Sequence, residues 1–176
     1  MLSLAAWHWF QPSAEDSTWQ LAAAQPLAEG TFLCVKVIDG ETLVVRDRTS
    51  APANASTPPP LKYYTVRLLG ITGDEDFAGT AATQFLKDAV EGKTLELQWD
   101  KRRIDHLGRR LAYVYQDDQL LNTEMVLLGL VRVDSYPGDN GTIARDLGRA
   151  EKEARLEQRG LWATAAKAAT SAASAQ

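Results

Sequence analysis

Short runs along the chain alternate apolar, often β-branched residues with polar ones, which is the pattern of strands buried on one face. The Asp39-Gly40 step between the first two runs is a strong signal for a tight β-hairpin. The sequence therefore predicts five strands, at residues 33–38, 42–46, 65–71, 94–99 and 111–115.

Apolar residues recur at helical spacing in three other segments, and the predicted helices cover residues 80–91, 122–128 and 142–159. Thr80 and Asn122 are placed as N-caps, and a glycine follows each helix end. The order β-β-β-α-β-β-α-α has no regular βαβ alternation. This order favours a small barrel with packed helices over a doubly wound parallel sheet.

Three segments lie outside this predicted folded unit. Residues 1–30 show no sustained periodicity and form an N-terminal extension, and residues 49–60 are a Pro-rich insertion between strands. Residues 163–176 are rich in Ala and Ser, offer nothing large to bury, and are expected to be a disordered tail. We therefore place one domain at residues 31–162.

The amino-terminal extension matches a signal peptide poorly. Residues 1–10 are apolar but short and lack a basic lead-in, and Glu15 and Asp16 interrupt the stretch before a cleavage-like Ala22-Ala23-Ala24. A poor or truncated signal region is the most that this segment supports. No apolar stretch is long enough to cross a bilayer, so we expect no membrane span.

Composition narrows the class of protein. Of the 176 residues, 45% are hydrophobic and 24% charged, values typical of a folded soluble domain. The net charge of −4 argues against a tight, non-specific nucleic-acid binder, although an enzyme needs only a local basic site. The single cysteine, Cys34, excludes an internal disulfide and is expected to be a small buried hydrophobe.

Two acidic clusters are candidates for chemistry. Asp39 and Glu41 flank the hairpin glycine, but Asp-Gly on its own is turn chemistry. Arg67 lies in the third predicted strand, and three consecutive acids, Asp74, Glu75 and Asp76, follow it. Adjacent carboxylates repel one another unless a cation or a guanidinium offsets their charge. Taken alone, this stretch more often forms a solvated turn in which Arg67 pairs with Glu75 at the surface.

A third cluster is basic. It comprises Lys101, Arg102, Arg103, Arg109 and Arg110, which lie within ten positions around a turn that leads into a strand. The guanidinium group of arginine can donate two parallel hydrogen bonds, which makes arginine well suited to bind and position a phosphate. The alternative is an ordinary solvated loop whose long stems cover apolar surface. His106 in this turn is expected to be an exposed loop residue.

The clusters together resemble the staphylococcal nuclease family, which includes thermonuclease-like proteins and the nuclease-like repeats of Tudor-SN. The motifs in register are Val-Ile-Asp-Gly-Glu-Thr (37–42), Arg-Leu-Leu-Gly-Ile (67–71), Asp-His-Leu-Gly-Arg-Arg-Leu-Ala-Tyr-Val-Tyr (105–115), Leu-Leu-Gly-Leu-Val (127–131) and Glu-Gln-Arg-Gly-Leu-Trp (157–162). The resemblance covers about residues 31–162. It implies an α+β fold: a five-stranded Greek-key OB-fold barrel with three helices.

The resemblance also implies roles for individual residues. The catalytic residues would be Arg67, Glu75 and Arg109. Glu75 would act as the general base, and the two arginines would stabilise the negative charge that develops around phosphorus. Calcium is the expected cofactor. Its expected ligands are Glu41, Thr72 and Gly73, with Asp39 and Asp74 as accessory donors. Substrate contacts are expected from Lys101, Arg102, Arg103, His106 and Arg110.

This sequence departs from the family pattern at several of those positions. Glu41 stands where the family usually has Asp, and Thr72 stands where it has a second calcium-binding aspartate. Calcium affinity rises with the number of charged ligands, so we expect a weakened site. Leu107 and Ser135 occupy positions where tyrosines often line the substrate pocket, and we expect weaker nucleotide binding.

Two functions remain open from the sequence. The first is a calcium-dependent nuclease that acts as a monomer on single-stranded or frayed DNA and on RNA, with little sequence preference. The second is a catalytically weakened OB-fold module that binds nucleic acid or a protein partner without cleavage. The resemblance points to a secreted or periplasmic protein, which the amino-terminal residues support poorly.

Overall fold

The computed structural model describes residues 30–47, 61–73, 77–134 and 141–163. Apart from the boundary residues Gly30 and Ala163, the predicted extension, Pro-rich insertion and tail lie outside these ranges. The described elements are the strands β1 (Gly30–Asp39), β2 (Thr42–Asp47), β3 (Tyr63–Leu68), β4 (Ile71–Thr72), β5 (Thr94–Ile104), β6 (Arg110–Gln116), β7 (Gln119–Leu120) and β8 (Arg132–Val133), with the helices α1 (Phe77–Val90), α2 (Leu121–Leu127) and α3 (Gly141–Leu156).

Five strands form a closed barrel in the order β3-β2-β1-β5-β6. Neighbours along this order are antiparallel, and a parallel pairing of β3 with β6 closes the barrel. Closure leaves no open sheet edge between these two strands. The predicted α+β fold, an OB-type barrel of five strands with three helices, is confirmed.

The barrel interior is filled by the side chains that the period-two pattern predicts. In β5, for example, Leu95, Leu97 and Trp99 are buried, while Thr94 and Glu96 between them are exposed. Helix α1 adds Ala82 and Leu86, both fully buried, from its predicted apolar face. None of the helices in the described ranges has the length and hydropathy that a membrane span requires.

The third predicted strand is shorter than its apolar run. Strand β3 ends at Leu68, because Leu69 and Gly70 form a turn in which Gly70 has φ +77°. That left-handed backbone conformation suits glycine and strains other residues. The chain then enters β4, which pairs with β8 in a separate two-stranded sheet. The sequence did not predict this small sheet.

Asn122 was predicted to cap the second helix, and that prediction is wrong. Helix α2 begins one residue earlier, and its N-terminus has no side-chain cap. Asn122 is instead fully buried. Its Nδ2 donates to the carbonyl of Leu69 (2.8 Å), and its Oδ1 accepts from the backbone N–H of Val114 (2.9 Å). The side chain therefore joins β6 to the turn that ends β3.

The carboxyl ends of α2 and α3 meet at two glycines. Gly129 and Gly160 both have positive φ, +68° and +48°. A Cβ at Gly129 would lie 2.3 Å from the carbonyl oxygen of Arg159, and one at Gly160 would lie 2.3 Å from the carbonyl oxygen of Gly129. Leu161 N–H donates to that same Gly129 carbonyl (2.9 Å). Only glycine fits this contact at either position.

Candidate functional site

The first hairpin holds its acidic residues in a defined turn. The Oδ1 of Asp39 accepts a hydrogen bond from the backbone N–H of Glu41 (2.8 Å), so Asp39 stabilises the turn itself. A Cβ at Gly40 would lie 2.6 Å from the Cβ of Ala82 in α1. The tip of the hairpin is therefore packed directly against the helix, which fixes the start of β2 relative to α1.

Arg67 lies near the end of β3, opposite Thr42 of β2 in the antiparallel register. Its Nε donates to Oε1 of Glu41 (3.1 Å), and its Nη2 donates to Oε2 of Glu41 (3.3 Å) and to the carbonyl of Ile71 (3.2 Å). Asp134 lies farther away, at 3.9 Å from Nη2. The Arg67 side chain is 15% exposed, so its guanidinium is held at the rim of the barrel.

Arg109 reaches the same rim from the loop before β6. Its Nε donates to Oδ2 of Asp105 (2.7 Å), and its Nη1 donates to Oγ1 of Thr42 (3.3 Å). Like Arg67, it is mostly buried, with 19% of its side chain exposed. The two arginines, 42 positions apart in the sequence, are thus held by the adjacent residues Glu41 and Thr42.

Each guanidinium keeps one terminal nitrogen for another partner. Among the described residues, no hydrogen bond occupies Nη1 of Arg67 or Nη2 of Arg109. Both side chains retain some solvent exposure at the rim. Guanidinium groups with N–H donors that no described residue occupies are of the kind that suits a phosphate.

Asp105 organises the loop that carries Arg109. Its Oδ1 accepts from the backbone N–H groups of Leu107 and Arg109, both at 2.9 Å. Burial raises the pKa of the Asp105 carboxyl, but the side-chain and backbone hydrogen bonds and the positive charge of Arg109 lower it by more, so the net shift is downward. The carboxylate is therefore ionised when Arg109 is in place.

The predicted cation ligands are brought together only in part. Gly73 donates its backbone N–H to Oε2 of Glu41 (2.9 Å), so residues 41 and 73 are neighbours. Thr72 is partly buried in β4 and pairs with Arg132 of β8. Asp39 is exposed and engaged in its turn. Asp74 and Glu75 lie outside the described residues, and their predicted roles stay predictions.

These donors do not by themselves fit calcium, which takes six to eight oxygens. Across residues 30–47, 61–73, 77–134 and 141–163, no group of three or more His, Cys, Asp or Glu side chains is placed to hold a metal ion. Of the predicted principal ligands only Glu41 offers a carboxylate, and both of its oxygens already accept hydrogen bonds.

The predicted substrate contacts divide into two groups. Lys101, Arg102 and Arg103 are exposed, and they lie within β5 rather than in a loop. The β5–β6 register steps from Trp99–Ala112 to Ile104–Arg110, so the basic residues bulge from the ladder. His106 and Leu107 are exposed in the next turn, as expected for a loop.

Arg110 differs from its prediction. It is only 3% exposed, and its guanidinium lies over the ring of Tyr64 at 5.7 Å from the ring centroid. Burial lowers the pKa of Arg110, although the nearby Tyr64 opposes that shift. A buried side chain that packs on an aromatic ring is not placed to contact a polymer substrate, so we assign Arg110 to the barrel wall.

Sequence reasoning did not assign site roles to Thr42, Asp105 or Asp134. Thr42 and Asp105 each accept a hydrogen bond from Arg109, and Asp134 lies near Arg67. The sequence did contain a signal for Asp105. An Asp that lies four residues before an Arg, with a glycine turn between them, is a pattern in which the carboxylate can accept hydrogen bonds across the turn. None existed for Asp134, which follows an unpredicted two-residue strand.

Comparison with known proteins identifies the family of this chain. The family described as "Staphylococcal nuclease homologue" matches residues 57–164, more than half of the chain. A thermonuclease of Staphylococcus intermedius is 29% identical over 140 residues, which cover 75% of this chain and 76% of that protein.

Two further relatives extend the comparison. A thermonuclease of Staphylococcus hyicus is 25% identical over 156 residues, 84% of this chain and 85% of its own. A protein of Escherichia coli O157:H7 named as an uncharacterized endonuclease is 32% identical over 136 residues, 74% of this chain and 76% of its own. With its closed barrel and the family match, this chain belongs to the staphylococcal nuclease homologue family.

Proposed function

We propose that the chain is a nuclease that hydrolyses phosphodiester bonds of DNA and RNA with low sequence specificity. The observation that carries this proposal is the attachment of Arg67 and Arg109 to the adjacent residues Glu41 and Thr42. Through this attachment, arginines 42 positions apart in the sequence are held by neighbouring residues at the barrel rim. The names of the relatives, thermonuclease and endonuclease, support the same class of reaction.

The chemistry follows from what two fixed cations can do. When water attacks a phosphodiester, negative charge builds up on the oxygens of the five-coordinate phosphorus. Donors that are already oriented stabilise this charge without reorganising during the reaction. Arg67 is oriented by Glu41 and Ile71, and Arg109 by Asp105 and Thr42, so each presents its remaining terminal nitrogen in a fixed direction.

Glu75 is the proposed general base. It follows Gly73 by two residues, and the backbone of Gly73 is held at the rim by Glu41. Two residues span at most about 7 Å of chain, so the chain length allows a Glu75 side chain to reach the rim at Arg67. A carboxylate that reaches a phosphate bound at the rim would be suited to accept the proton of the attacking water.

Calcium dependence stays a prediction from the family resemblance. The described donors do not by themselves complete a calcium site. The exposed residues Lys101, Arg102 and Arg103 support the preference for a polymeric, phosphate-rich substrate, because basic side chains on a protruding strand can contact backbone phosphates. We also propose that the active species is a monomer, which sedimentation of the purified chain would check.

The test is cleavage of plasmid, denatured DNA and RNA, each with calcium, with other divalent ions and with chelator. Arg67→Ala, Glu75→Gln and Arg109→Ala should each lower kcat/KM by about 100-fold or more, since each removes a transition-state interaction. Arg149→Ala is the matched control, because it removes a guanidinium whose side chain is 79% exposed on α3. Unchanged cleavage in all three variants would assign the activity to a contaminant and end the proposal.

The alternative is a module that binds nucleic acid or a protein partner without cleaving it. Thr72 at a ligand position and the engaged carboxylate of Glu41 favour this alternative. It predicts no cleavage under any ionic condition and retained binding of single-stranded oligonucleotide. In that case, neutralising Lys101, Arg102 and Arg103 together should weaken binding and reduce its salt dependence.

A further inference from the structure

Glu41 occupies a position where the family resemblance predicts a cation ligand, and both of its carboxylate oxygens accept hydrogen bonds from protein groups. Oε1 accepts from Nε of Arg67 (3.1 Å), and Oε2 accepts from Nη2 of Arg67 (3.3 Å) and from the backbone N–H of Gly73 (2.9 Å). The side chain is 20% exposed. One carboxylate therefore joins an arginine of β3 to the first residue of the segment that contains Glu75.

The backbone around Glu41 fixes the direction of this carboxylate. Its N–H donates to the side chain of Asp39, and its carbonyl accepts from the backbone N–H of Leu68 (2.8 Å). Gly40, next to it, is packed against Ala82 of α1. With the main chain held on both sides, the longer glutamate side chain extends from a fixed point to Arg67 and Gly73.

A cation at this position would have to compete with a guanidinium. Arg67 already neutralises the charge of Glu41 and repels a second positive charge beside it. Thr72 supplies no second carboxylate to offset that repulsion. The bidentate contact with Arg67 is also the stronger kind of charged hydrogen bond, in which two parallel N–H groups meet two oxygens.

We propose that Glu41 is a positioning residue that orients Arg67 and the backbone of Gly73, and that it does not bind a cation in this chain. The inference rests on the proposed nuclease function for its kinetic consequence, but its structural part does not need cleavage. It predicts that activity depends on Glu41 while the affinity for a divalent cation does not.

The first experiment observes the Nε–H of Arg67 by ¹⁵N NMR and the exchange rate of the Gly73 amide in the full chain. Both protons should be protected in the wild type, and Glu41→Ala should speed their exchange by tenfold or more. Asp134→Asn is the matched control, because that carboxylate lies 3.9 Å from the same guanidinium and is 43% exposed. Equal exchange in the wild type and Glu41→Ala would overturn the inference, whatever the chain does to nucleic acid.

The second experiment separates positioning from cation binding. Glu41→Ala should lower kcat by about tenfold or more, and Glu41→Gln, which keeps one oxygen acceptor, should recover part of the loss. Calorimetric titration with calcium alone should give the same affinity within twofold for all three proteins, including the case in which none of them binds calcium. A tenfold weaker calcium affinity in Glu41→Gln would make Glu41 a ligand and overturn the inference.

The two proposals fail in different ways. A chain that cleaves nothing would remove the proposed function and leave the exchange and calcium results to decide the role of Glu41. Cleavage with unprotected Arg67 and Gly73 protons would keep the nuclease and reject the positioning role. Thermal unfolding of each variant identifies any loss that comes from misfolding, and the isosteric Glu41→Gln is the variant that should fold like the wild type.

Discussion

Asp105 connects the stability of a loop to the orientation of an arginine. Its carboxylate accepts hydrogen bonds from the Nε and the backbone N–H of Arg109 and from the backbone N–H of Leu107, and its side chain is only 7% exposed. These contacts exist only in the folded chain, and the net effect is to lower the pKa of Asp105 below 3.8. Such a shift makes the stability depend on pH.

The first prediction concerns this pH dependence. In acid the unfolded chain binds the Asp105 proton before the folded chain does, so the stabilisation is complete above pH 3.8 and is lost as the pH falls through the folded pKa. Asp105→Asn should therefore be destabilised most at neutral pH, and the gap to the wild type should narrow in strong acid. Urea unfolding between about pH 2 and pH 7 measures this gap.

Asp146→Asn serves as the control for Asp105→Asn, because it removes a carboxylate whose partner, Arg149, is exposed. Exposed ion pairs contribute little, so this variant should stay close to the wild type throughout. A gap for Asp105→Asn that stays constant into strong acid would show that the carboxylate charge is not what stabilises the loop.

The second prediction concerns the buried amide of Asn122. Asn122→Ala leaves the Val114 N–H and the Leu69 carbonyl buried without a partner, and each orphaned group costs roughly 1–3 kcal/mol. Thr123→Val is the matched control on the same helix, because the Thr123 hydroxyl is buried without a partner among the described residues. The control should be neutral or stabilising in urea unfolding. Equal losses for both variants would refute the role of Asn122.

The sequence predicts the positions of individual polar residues better than it predicts the partners of their side chains. Arg67 and Arg109 were predicted as site residues from motif spacing, and in the fold they contact the adjacent residues Glu41 and Thr42. Asn122 and Arg110 were misassigned because a polar residue beside an apolar run looks the same whether it faces solvent, a helix end or a buried contact. That choice depends on the strand or helix that packs opposite, here Leu69 for Asn122 and Tyr64 for Arg110.

At the scale of elements, the contact between the ends of α2 and α3 depends on two glycines. Gly129→Ala would place a Cβ at 2.3 Å from the Arg159 carbonyl oxygen in addition to straining a φ of +68°. Gly92→Ala is the matched control, because Gly92 has φ +77° and nothing within 4 Å of a built Cβ.

The third prediction compares these two glycines. Gly92→Ala should cost about 1–2 kcal/mol, the penalty for a left-handed backbone. Gly129→Ala should cost more than this by about 2 kcal/mol or more, because the helix ends must also move apart. Thermal or urea unfolding measures both losses. If the two variants lose the same stability, the contact between the helix ends contributes nothing beyond the backbone strain.

The strands were predicted wherever a period-two pattern ran for five or more residues. The alternation of Leu95, Leu97 and Trp99 is an example, since it decides which face is buried. Two-residue strands such as β4 and β8 have no period to detect, and their pairing comes from the turn at Gly70. The extension of β5 through Lys101–Arg103 was missed because charged residues that bulge from a ladder look like a loop in sequence.

At the scale of the whole molecule, the site depends on barrel closure. The parallel pairing of β3 with β6 places Arg67 opposite Leu111, two residues after Arg109. The antiparallel pairing of β3 with β2 places Arg67 opposite Thr42. Both arginines therefore meet only when three strands have closed around the core. We expect the proposed phosphate site to be lost with the barrel as a unit and not residue by residue.

Chemical labelling of Cys34 should show whether the barrel opens as a single unit. Cys34 is fully buried in β1, where its N–H donates to the Lys93 carbonyl. Burial, and then the negative charge of Glu91, raise its pKa to about 11. Thiol reagents attack the thiolate, so labelling at pH 8 requires the barrel to open. The native chain should react at least about a thousandfold more slowly than the unfolded chain, given ordinary domain stabilities.

The urea dependence of that labelling distinguishes global from local opening. The labelling rate gives a free energy of opening, which should decrease as urea is added. If the barrel opens as one unit, the slope of this decrease should equal the slope measured in equilibrium unfolding. A surface thiol introduced by Arg149→Cys in a Cys34→Ser chain gives the rate for an exposed cysteine. Rapid labelling of Cys34 that is independent of urea would mean that β1 separates from β2 and β5 locally, so that Glu41 and Thr42 could leave the arginines while the rest of the barrel stays folded.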